Sequence, residues 1–562
     1  MAKQIITTDR IENILSGKEL VFIDNSGVQP RILVKECEFG FFASNNSIKI
    51  PYDLIFEGCN FMQTFYLNGI SNKSIFFKNC SCYEDLSLGI ICDELHITYS
   101  KFSIFLSLGG CKINKVICIL MTSSFRVSRG EYGQFSVINY DKNNTLSLDF
   151  NAPTFKEYLE IISQDDKIKN IFKITYFKNL IAKKIKFLNL IIESKFDIQG
   201  EESNIENFDF QKIIFKEVLK VFDGKFGTLS ILESSFEKNL ELNKGNFKIV
   251  KIDKLEKVGT IEIQSPVYID EFELASTTKP FTLLLNSSSH NKIYLKNLNS
   301  SKDNFICFNQ IRVNDLMFNK FINFGNIYLI NLKQSNNPVN KDSTIFILNS
   351  DLGKTTMMDC NLENYRLDFH SSKISEVFLA GTKMPSHNKI NRNSGDKEQK
   401  RLALSQIKKI YENRGDSLSA NEYYAEEMKT YMSQLFSNFK ISKIPELLNL
   451  LFNYISNNFG QNWLLALIST ILIVFISLEL FTRSLNFPIT DNIFEALKWK
   501  MGLMFEYINP TTKIKDFADS LGLAHEKLTS NSKFIFGITR FVVIPYFVYQ
   551  LIAAFRKHGK KS

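Results

Sequence analysis

The chain has 562 residues, more than one ordinary core holds unless it is built from repeats. A hydrophobic share of 44% beside 23% charged residues excludes a disordered chain. The net charge of +9 is spread as Lys among Glu and Asp, with no basic block interleaved with aromatics, so nucleic acid is not expected as a partner.

The nine cysteines (Cys37, Cys59, Cys80, Cys82, Cys92, Cys111, Cys118, Cys307 and Cys360) are odd in number and all precede residue 361. There is no apolar secretory segment near Met1 and no paired CxxC set, which points to reduced thiols in a cytosolic compartment. Cys80-Ser81-Cys82 lacks zinc spacing, and buried small core residues are the expected role of most of these thiols. No cofactor or metal is expected.

Residues 8–16, TDRIENILS, read as a short amphipathic helix with Asp9 and Glu12 at capping-box spacing. Repeats follow. ILVKECEF, LIFEGCNF, IFFKNCSC, LHITYSKF and CILMTSSF end at Phe39, Phe61, Cys82, Phe102 and Phe125, at intervals of 22, 21, 20 and 23. Two residues earlier in each stand Cys37, Cys59, Cys80, Ser100 and Ser123, all small. A strand recurring at a period near 20 is the mark of a β-solenoid, whose coils stack inward residues on those of their neighbours.

The same figure ends at Phe196 and Phe236, then at Leu352, Leu362, Ile374 and Met384 at intervals of 10, 12 and 10, as if two faces of the solenoid now carry it. The register is poor over 140–180 and 240–340, where segments such as TFKEYLEIIS read as helical excursions. Roughly 16 coils at ~4.8 Å each would make a stack on the order of 75 Å. Its ends need covering. The first helix suits one end, and Pro385 with the helices after it suits the other.

Small-x-aromatic or small-x-Leu recurring along stacked strands resembles the pentapeptide-repeat proteins, in a degenerate form. VFLAGTKMP at 377–385, with a helical pair and membrane spans after it, is similar to the C-terminal organisation of the membrane-anchored bacterial members. The resemblance implies a mainly β fold, a right-handed parallel β-helix, then an α-helical hairpin and an α-helical membrane domain.

The expected domains are a capping helix over 1–17, a solenoid over 18–385, a polar linker over 386–396, a hairpin over 397–436 and a membrane domain over 437–562. In the hairpin, Leu402, Ile407, Ile410 and Tyr411 carry the first apolar stripe, Gly415 stops that helix, and Ala420, Tyr423, Tyr424, Met428 and Tyr431 carry the second. One hairpin does not bury its own face, so it should dock on the solenoid end or on a partner.

Residues 463–481 form an apolar segment long enough to cross a bilayer, with Glu479 its only charge. Residues 534–555 form a second, interrupted by Arg540, Pro545 and Gln550. The tail residues Arg556, Lys557, Lys560 and Lys561 favour a cytoplasmic flank, which with a cytoplasmic N-terminal region requires two spans. The Lys-rich connecting loop weakens that argument. Within it, 493–507 reads as an interfacial helix with Phe494, Leu497, Met501, Met504 and Phe505 on one face, broken at Asn509-Pro510. No glycine-rich ion filter follows it.

Ionisable and polar groups at membrane depth are functional candidates, here Glu479, Arg540 and Gln550. A Glu479–Arg540 bridge and separate snorkelling both remain open. No nucleophile elbow, P-loop, HExxH or GxGxxG is present, and the six histidines are scattered singly, so no enzymatic activity is expected.

The reading is a cytoplasmic solenoid anchored at a bacterial inner membrane, multi-pass, with the lipid bilayer and an unidentified protein as partners. The alternative is a sensor-effector whose spans form a homo-oligomeric channel or pore controlled by the solenoid.

Overall fold

The computed structural model describes residues 4–559, apart from 25–28, 45, 104–105, 121–123, 140–144, 164–169, 278, 300, 336–342, 375, 392–394, 486–492, 510 and 522–527. The chain divides into two compact units, Met1–Pro385 and Ser386–Ser562.

The first unit is a parallel β-solenoid of about 15 turns, its stacked strands lying between residues 31 and 380. Each coil has three sides, seen cleanly in the coil that starts at Asp53. Asp53–Glu57 forms the first side, Asn60–Phe61 the short second and Phe65–Ser71 the third. Each pairs in parallel with its equivalent one coil on, at Ile75–Lys78, Ser81–Cys82 and the start of Leu86–Phe102.

The first-side ladder runs from Ile32 through Leu54, Ile75 and Leu95 to Ile345 and Leu367. Alternation puts every second residue inside, which is why Leu54 and Phe56, or Ile75 and Phe77, are buried. The coil step varies from 19 residues, between Val116 and Phe135, to 29, between Leu316 and Ile345. Length variation is taken up in the corners and in local register shifts within the longer strands, as between Asn243 and Gly245, while the paired stretches on either side keep their apolar residues inward.

The repeated small residue has a specific place. Glu36, Gly58, Asn79 and Tyr99 take positive φ of 51°, 63°, 52° and 52° at the corner between the first and second sides. Cys37, Cys59, Cys80 and Ser100 follow them. Cys59 Sγ donates toward Val34 O at 3.3 Å, Cys80 Sγ toward Phe56 O at 3.5 Å and Ser100 Oγ toward Phe77 O at 3.4 Å, in each case a carbonyl of the coil before. Ser100 Oγ also accepts from Cys80 N–H at 3.1 Å. The position therefore takes a small residue with a donor, which is more than the packed spacer expected. All nine cysteines are free. Ser123 lies outside the described residues.

Past the corner, Phe39, Phe61, Cys82 and Phe102 are successive rungs of the second side. Phe39 and Phe61 stack at 4.9 Å and 11°. Phe215 and Phe236 stack on the same side at 4.7 Å and 4°. These distances are the inter-coil spacing, so identical residues in register stack face to face.

Phe125 and Phe196 are corrections to the single ladder. Both are buried, but Phe125 pairs with Leu106 and Leu148, and Phe196 with Leu219, on the third side. The local figure is the same because more than one corner per coil uses a turn and a small residue. The last coils show it directly. Asn349-Ser350 and Ser371-Ser372 stand at one corner, Asp359-Cys360 and Gly381-Thr382 at another, with positive φ at the first residue of each pair. That explains the half-coil intervals near the end.

TFKEYLEIIS is also a correction, because it lies inside the strand Leu146–Ser163. The pairing shifts register between Phe155 and Tyr158, so Phe155 and Leu159 both face inward four residues apart. A bulge inside a strand thus imitates helical spacing. Over 240–340 the described ladders run on, from Leu240–Asp253 through to Arg312–Asn319.

At the N-terminal side, Gln4–Ile6 adds a strand on Cys37–Phe39 that the sequence did not announce. Helix α1 (Thr8–Leu15) then buries Ile11, Ile14 and Leu15. Its N-cap is Thr7, without a side-chain cap bond, so the Asp9–Glu12 capping box does not form. Arg10 instead pairs with Glu19 at 3.0 Å.

The outer surface carries cross-coil ion pairs such as Lys216–Glu193, Lys238–Glu217 and Lys254–Glu233 at 2.5–3.3 Å. Each contributes at most about 1 kcal/mol.

Candidate functional site

The second unit is helical. Helix α2 (Lys397–Arg414) is capped by Asp396, whose carboxylate accepts from Glu398 and Gln399 N–H, and it ends at Gly415 with φ 80°. Helix α3 (Ser417–Ser437) starts from Asp416, whose carboxylate accepts from Ser419 N–H. The two pair through stacked Tyr411 and Tyr423 at 5.4 Å and through Lys408–Glu427 at 2.9 Å.

The second stripe finds its cover within the unit. Ala425, Tyr424, Met428 and Tyr431 pack with Leu450 of α4 (Ile444–Asn457) and with Phe459. Helix α4 is not among the expected elements, although Leu447 and Leu450 at helical spacing after Pro445 in the first turn signal it.

Helix α5 (Trp463–Ser484) contains the first apolar segment. Helices α6 (Ile493–Ile508) and α7 (Ile514–Ser520) follow it. The second segment runs through α8 (Ser530–Ile538), a π turn over Thr539–Val543 and α9 (Ile544–Gly559). The π turn sits just before Pro545, which has no N–H for the carbonyl four residues back and forces the helix wider there. Among the described residues two helices are long and apolar enough to cross a bilayer, Trp463–Ser484 with 22 residues and Ser530–Arg556 with 27.

A core of Val474, Leu478, Phe481, Met504, Tyr507, Phe517 and Phe536 joins these elements. Helix α6 contributes Leu503, Met504 and Tyr507 to it, whereas Met501 and Phe505 point outward, Phe505 with 79% of its surface exposed. The expected single face of Met501, Met504 and Phe505 is therefore a correction: the buried side of α6 centres on Leu503, Met504 and Tyr507, which puts Met504 at its edge and leaves Met501 and Phe505 beyond it. The side chains of Phe494 and Leu497, and residues Pro510, Lys560 and Lys561, lie outside the described residues.

The three candidate polar residues have separate fates. Glu479 accepts from Arg483 Nε at 2.8 Å and from Lys500 Nζ, tying α5 to α6, so the Glu479–Arg540 bridge is absent. Gln550 is buried and its Oε1 accepts from Asn457 Nδ2 at 2.8 Å, tying α9 to α4.

Arg540 is 4% exposed, and its Nε, Nη1 and Nη2 have no hydrogen-bond partner. It lies over the Phe536 ring at 5.0 Å, in the π turn beside Thr539, whose Oγ1 is 2.6 Å from Tyr507 Oη. A buried unpaired guanidinium in an apolar setting is energetically costly, and such groups cluster where a segment changes state or meets a partner.

On the solenoid, an open groove of about 770 Å³ is lined by Asn204, Lys225, Phe226, Asn246, Tyr268 and Asp270. His290 is fully buried, with Nε2 2.8 Å from Ser288 Oγ, and burial pulls its imidazole down to about 3. Among the described residues no group of three or more His, Cys, Asp or Glu is placed to hold a metal ion.

Comparison with protein-family models, curated proteins and solved structures finds no match. A β-solenoid joined to apolar helices fits a membrane-associated scaffold in general terms.

Proposed function

We propose that this chain is a membrane-anchored scaffold. The solenoid recruits a protein partner on its outer faces, and α5 with the Ser530–Arg556 helix holds it in the bilayer. The observation that carries this reading is the outward apolar surface of those helices. Ile468, Ile471, Leu472 and Ile476 on α5, and Phe534, Phe541, Val542 and Ile552 on the second, are exposed in a unit that also buries a conventional core. Water would disfavour such a surface, and lipid covers it.

The remaining parts are inferences from the sequence. Both ends of the two-span pair lie in the cytoplasm, as the tail Arg556 and Lys557 favour, at the inner membrane of a bacterium. The corner pattern supports kinship with pentapeptide-repeat proteins. The chain acts without catalysis or cofactor, and nucleic acid is not its partner. Flotation of the full-length protein with vesicles tests the anchor, and protein left at the bottom of the gradient counts against it. Crosslinking in cells through residues lining the Tyr268 groove tests the scaffold role, and the outcome that sinks it is an absence of specific adducts on every solenoid face probed.

A second reading has Arg540 in its favour. The helices form a homo-oligomeric channel or pore, and the unpaired guanidinium gains a partner when the unit changes state. Vesicles carrying the protein then leak an ionic dye, and Arg540→Gln abolishes the leak. Vesicles that stay tight with and without the solenoid's partner exclude this reading.

A further inference from the structure

Helix α4 has an outward apolar row. Ile444, Leu448, Phe452 and Ile455 are exposed, Ile455 at 51%, while Leu447, Leu450, Ser456 and Asn457 turn inward. Spacings of 4, 4 and 3 put the row on one side of the helix. Exposed Phe439 and Ile441 extend it toward the N-terminus.

The inward side is fastened to both apolar helices. Asn457 Nδ2 donates to Gln550 Oε1 at 2.8 Å and Ser469 Oγ donates to Ser456 O at 2.8 Å, while on the outward row one edge of the half-exposed Phe452 ring meets Tyr546 at 6.1 Å. Gln550 stands six residues before Arg556, and Ser469 six residues after Trp463. At 1.5 Å per residue the two hydrogen bonds lie about 9 Å in from Trp463 and Arg556, the neighbouring ends of the two apolar helices. The same end carries the Trp463–Phe555 ring pair at 5.3 Å, the kind of aromatic contact that sits at a lipid–water boundary. The interfacial layer on each side of the hydrocarbon is about 5–7 Å thick, so a helix held at ~9 Å faces acyl chains wherever it does not face protein.

We propose that α4 lies inside one leaflet, at the boundary of headgroups and acyl chains, with its Ile444–Leu448–Phe452–Ile455 row against lipid. The inference rests on the membrane reading of α5 and the Ser530–Arg556 helix and goes beyond it, since it makes the anchor a three-helix device. At the N-terminal end of α4, Lys443 Nζ is paired with Glu446 at 2.8 Å, so the charges that begin the helix are matched within it. Asn457 and Gln550 satisfy each other where water is scarce, which accounts for a buried amide pair in an apolar bundle.

The test uses full-length protein with Trp463→Phe and Trp499→Phe, so that a single introduced tryptophan reports. Phe452→Trp reports α4, Ile455→Trp repeats the measurement on the same row, and Phe541→Trp reports the span. Each is reconstituted in vesicles of phosphatidylcholine and phosphatidylglycerol, with and without brominated acyl chains, and titrated with aqueous iodide.

The expected result is loss of most emission in brominated lipid at all three positions, with little quenching by iodide. If Phe541→Trp is quenched by lipid while both α4 reporters are quenched by iodide, α4 lies in water, and this inference fails while the span reading stands. If no reporter responds to brominated lipid, the membrane reading itself fails. If the α4 reporters are shielded from both quenchers, protein covers the row and the lipid assignment is overturned; an interchain crosslink there identifies a second copy as the cover.

Discussion

Ser100 and Arg540 are both buried polar side chains, one in each unit, and they are treated in opposite ways. Ser100 sits at a solenoid corner with its hydroxyl engaged by Cys80 N–H, Phe77 O and Thr98 O, so the hydroxyl helps define where the coil turns. Arg540 sits at a π turn with three nitrogens unmet, in a helix interrupted by Pro545. A repeated fold meets the same polar demand in every coil and solves it the same way. A single-copy helical unit has no such averaging, and an unmet charge persists there only where the surrounding packing holds it.

The contrast can be broken at several points. The largest effect should come from the solenoid interior. Phe61 is buried against Phe39, Phe56 and Phe65 at ring distances of 4.8–5.6 Å, so Phe61→Ala should cost about 3–5 kcal/mol, read as an earlier loss of strand signal in urea. Next is the opposite sign in the other unit. Arg540→Leu removes an uncompensated buried charge and should raise the stability of the helices by roughly 1–4 kcal/mol, measured by thermal loss of helix signal in detergent. A loss of stability would mean that Arg540 is already satisfied.

Ser100→Ala leaves Cys80 N–H without its acceptor and should cost about 1–3 kcal/mol, whereas Ser100→Cys, the residue found at the same corner one coil earlier, should cost less.

His290 gives a pH test of the same unit. Its imidazole is held near 3 when folded, against about 6.5 when unfolded, so below pH 6.5 the unfolded chain binds the extra proton. The neutral ring's contribution is complete above about pH 6.5. It is lost at about 1.4 kcal/mol per pH unit as pH falls toward 3. Urea midpoints between pH 6 and 4 should show a steeper loss of stability in the native chain than in His290→Leu. The smallest effect is expected for Gln550→Leu, about 0.6 kcal/mol, seen as easier separation of α4 from α9 by hydrogen exchange.

The individual residues also show how far a repeat can be read without a structure. Phe39, Phe61 and Phe102 were legible as one ladder because their coils are nearly equal in length. The third-side position of Phe125 and Phe196 is not legible, since a turn, a small residue and an apolar residue look alike at each corner. TFKEYLEIIS resembles a helix because a bulge changes the spacing of inward residues from two to four. In the second unit, Glu479, Arg540 and Gln550 were visible as polar interruptions of apolar segments. Their partners, Lys500, none and Asn457, were not, because each depends on which helices pack together.

By itself, the sequence determined what is local and repeated. It carried the period of the coil, the small residue at the corner, the capped helices around Gly415, and two segments apolar enough to cross a bilayer. Those follow from side-chain size, alternation and hydropathy, which act over a few residues. Only the tertiary structure decided which of three sides each phenylalanine occupies, that Glu479 belongs to Lys500 and not to Arg540, and that α4 is fastened to both apolar helices. Those outcomes depend on which distant segment arrives to share a contact, and hydropathy along the chain does not encode that choice residue by residue.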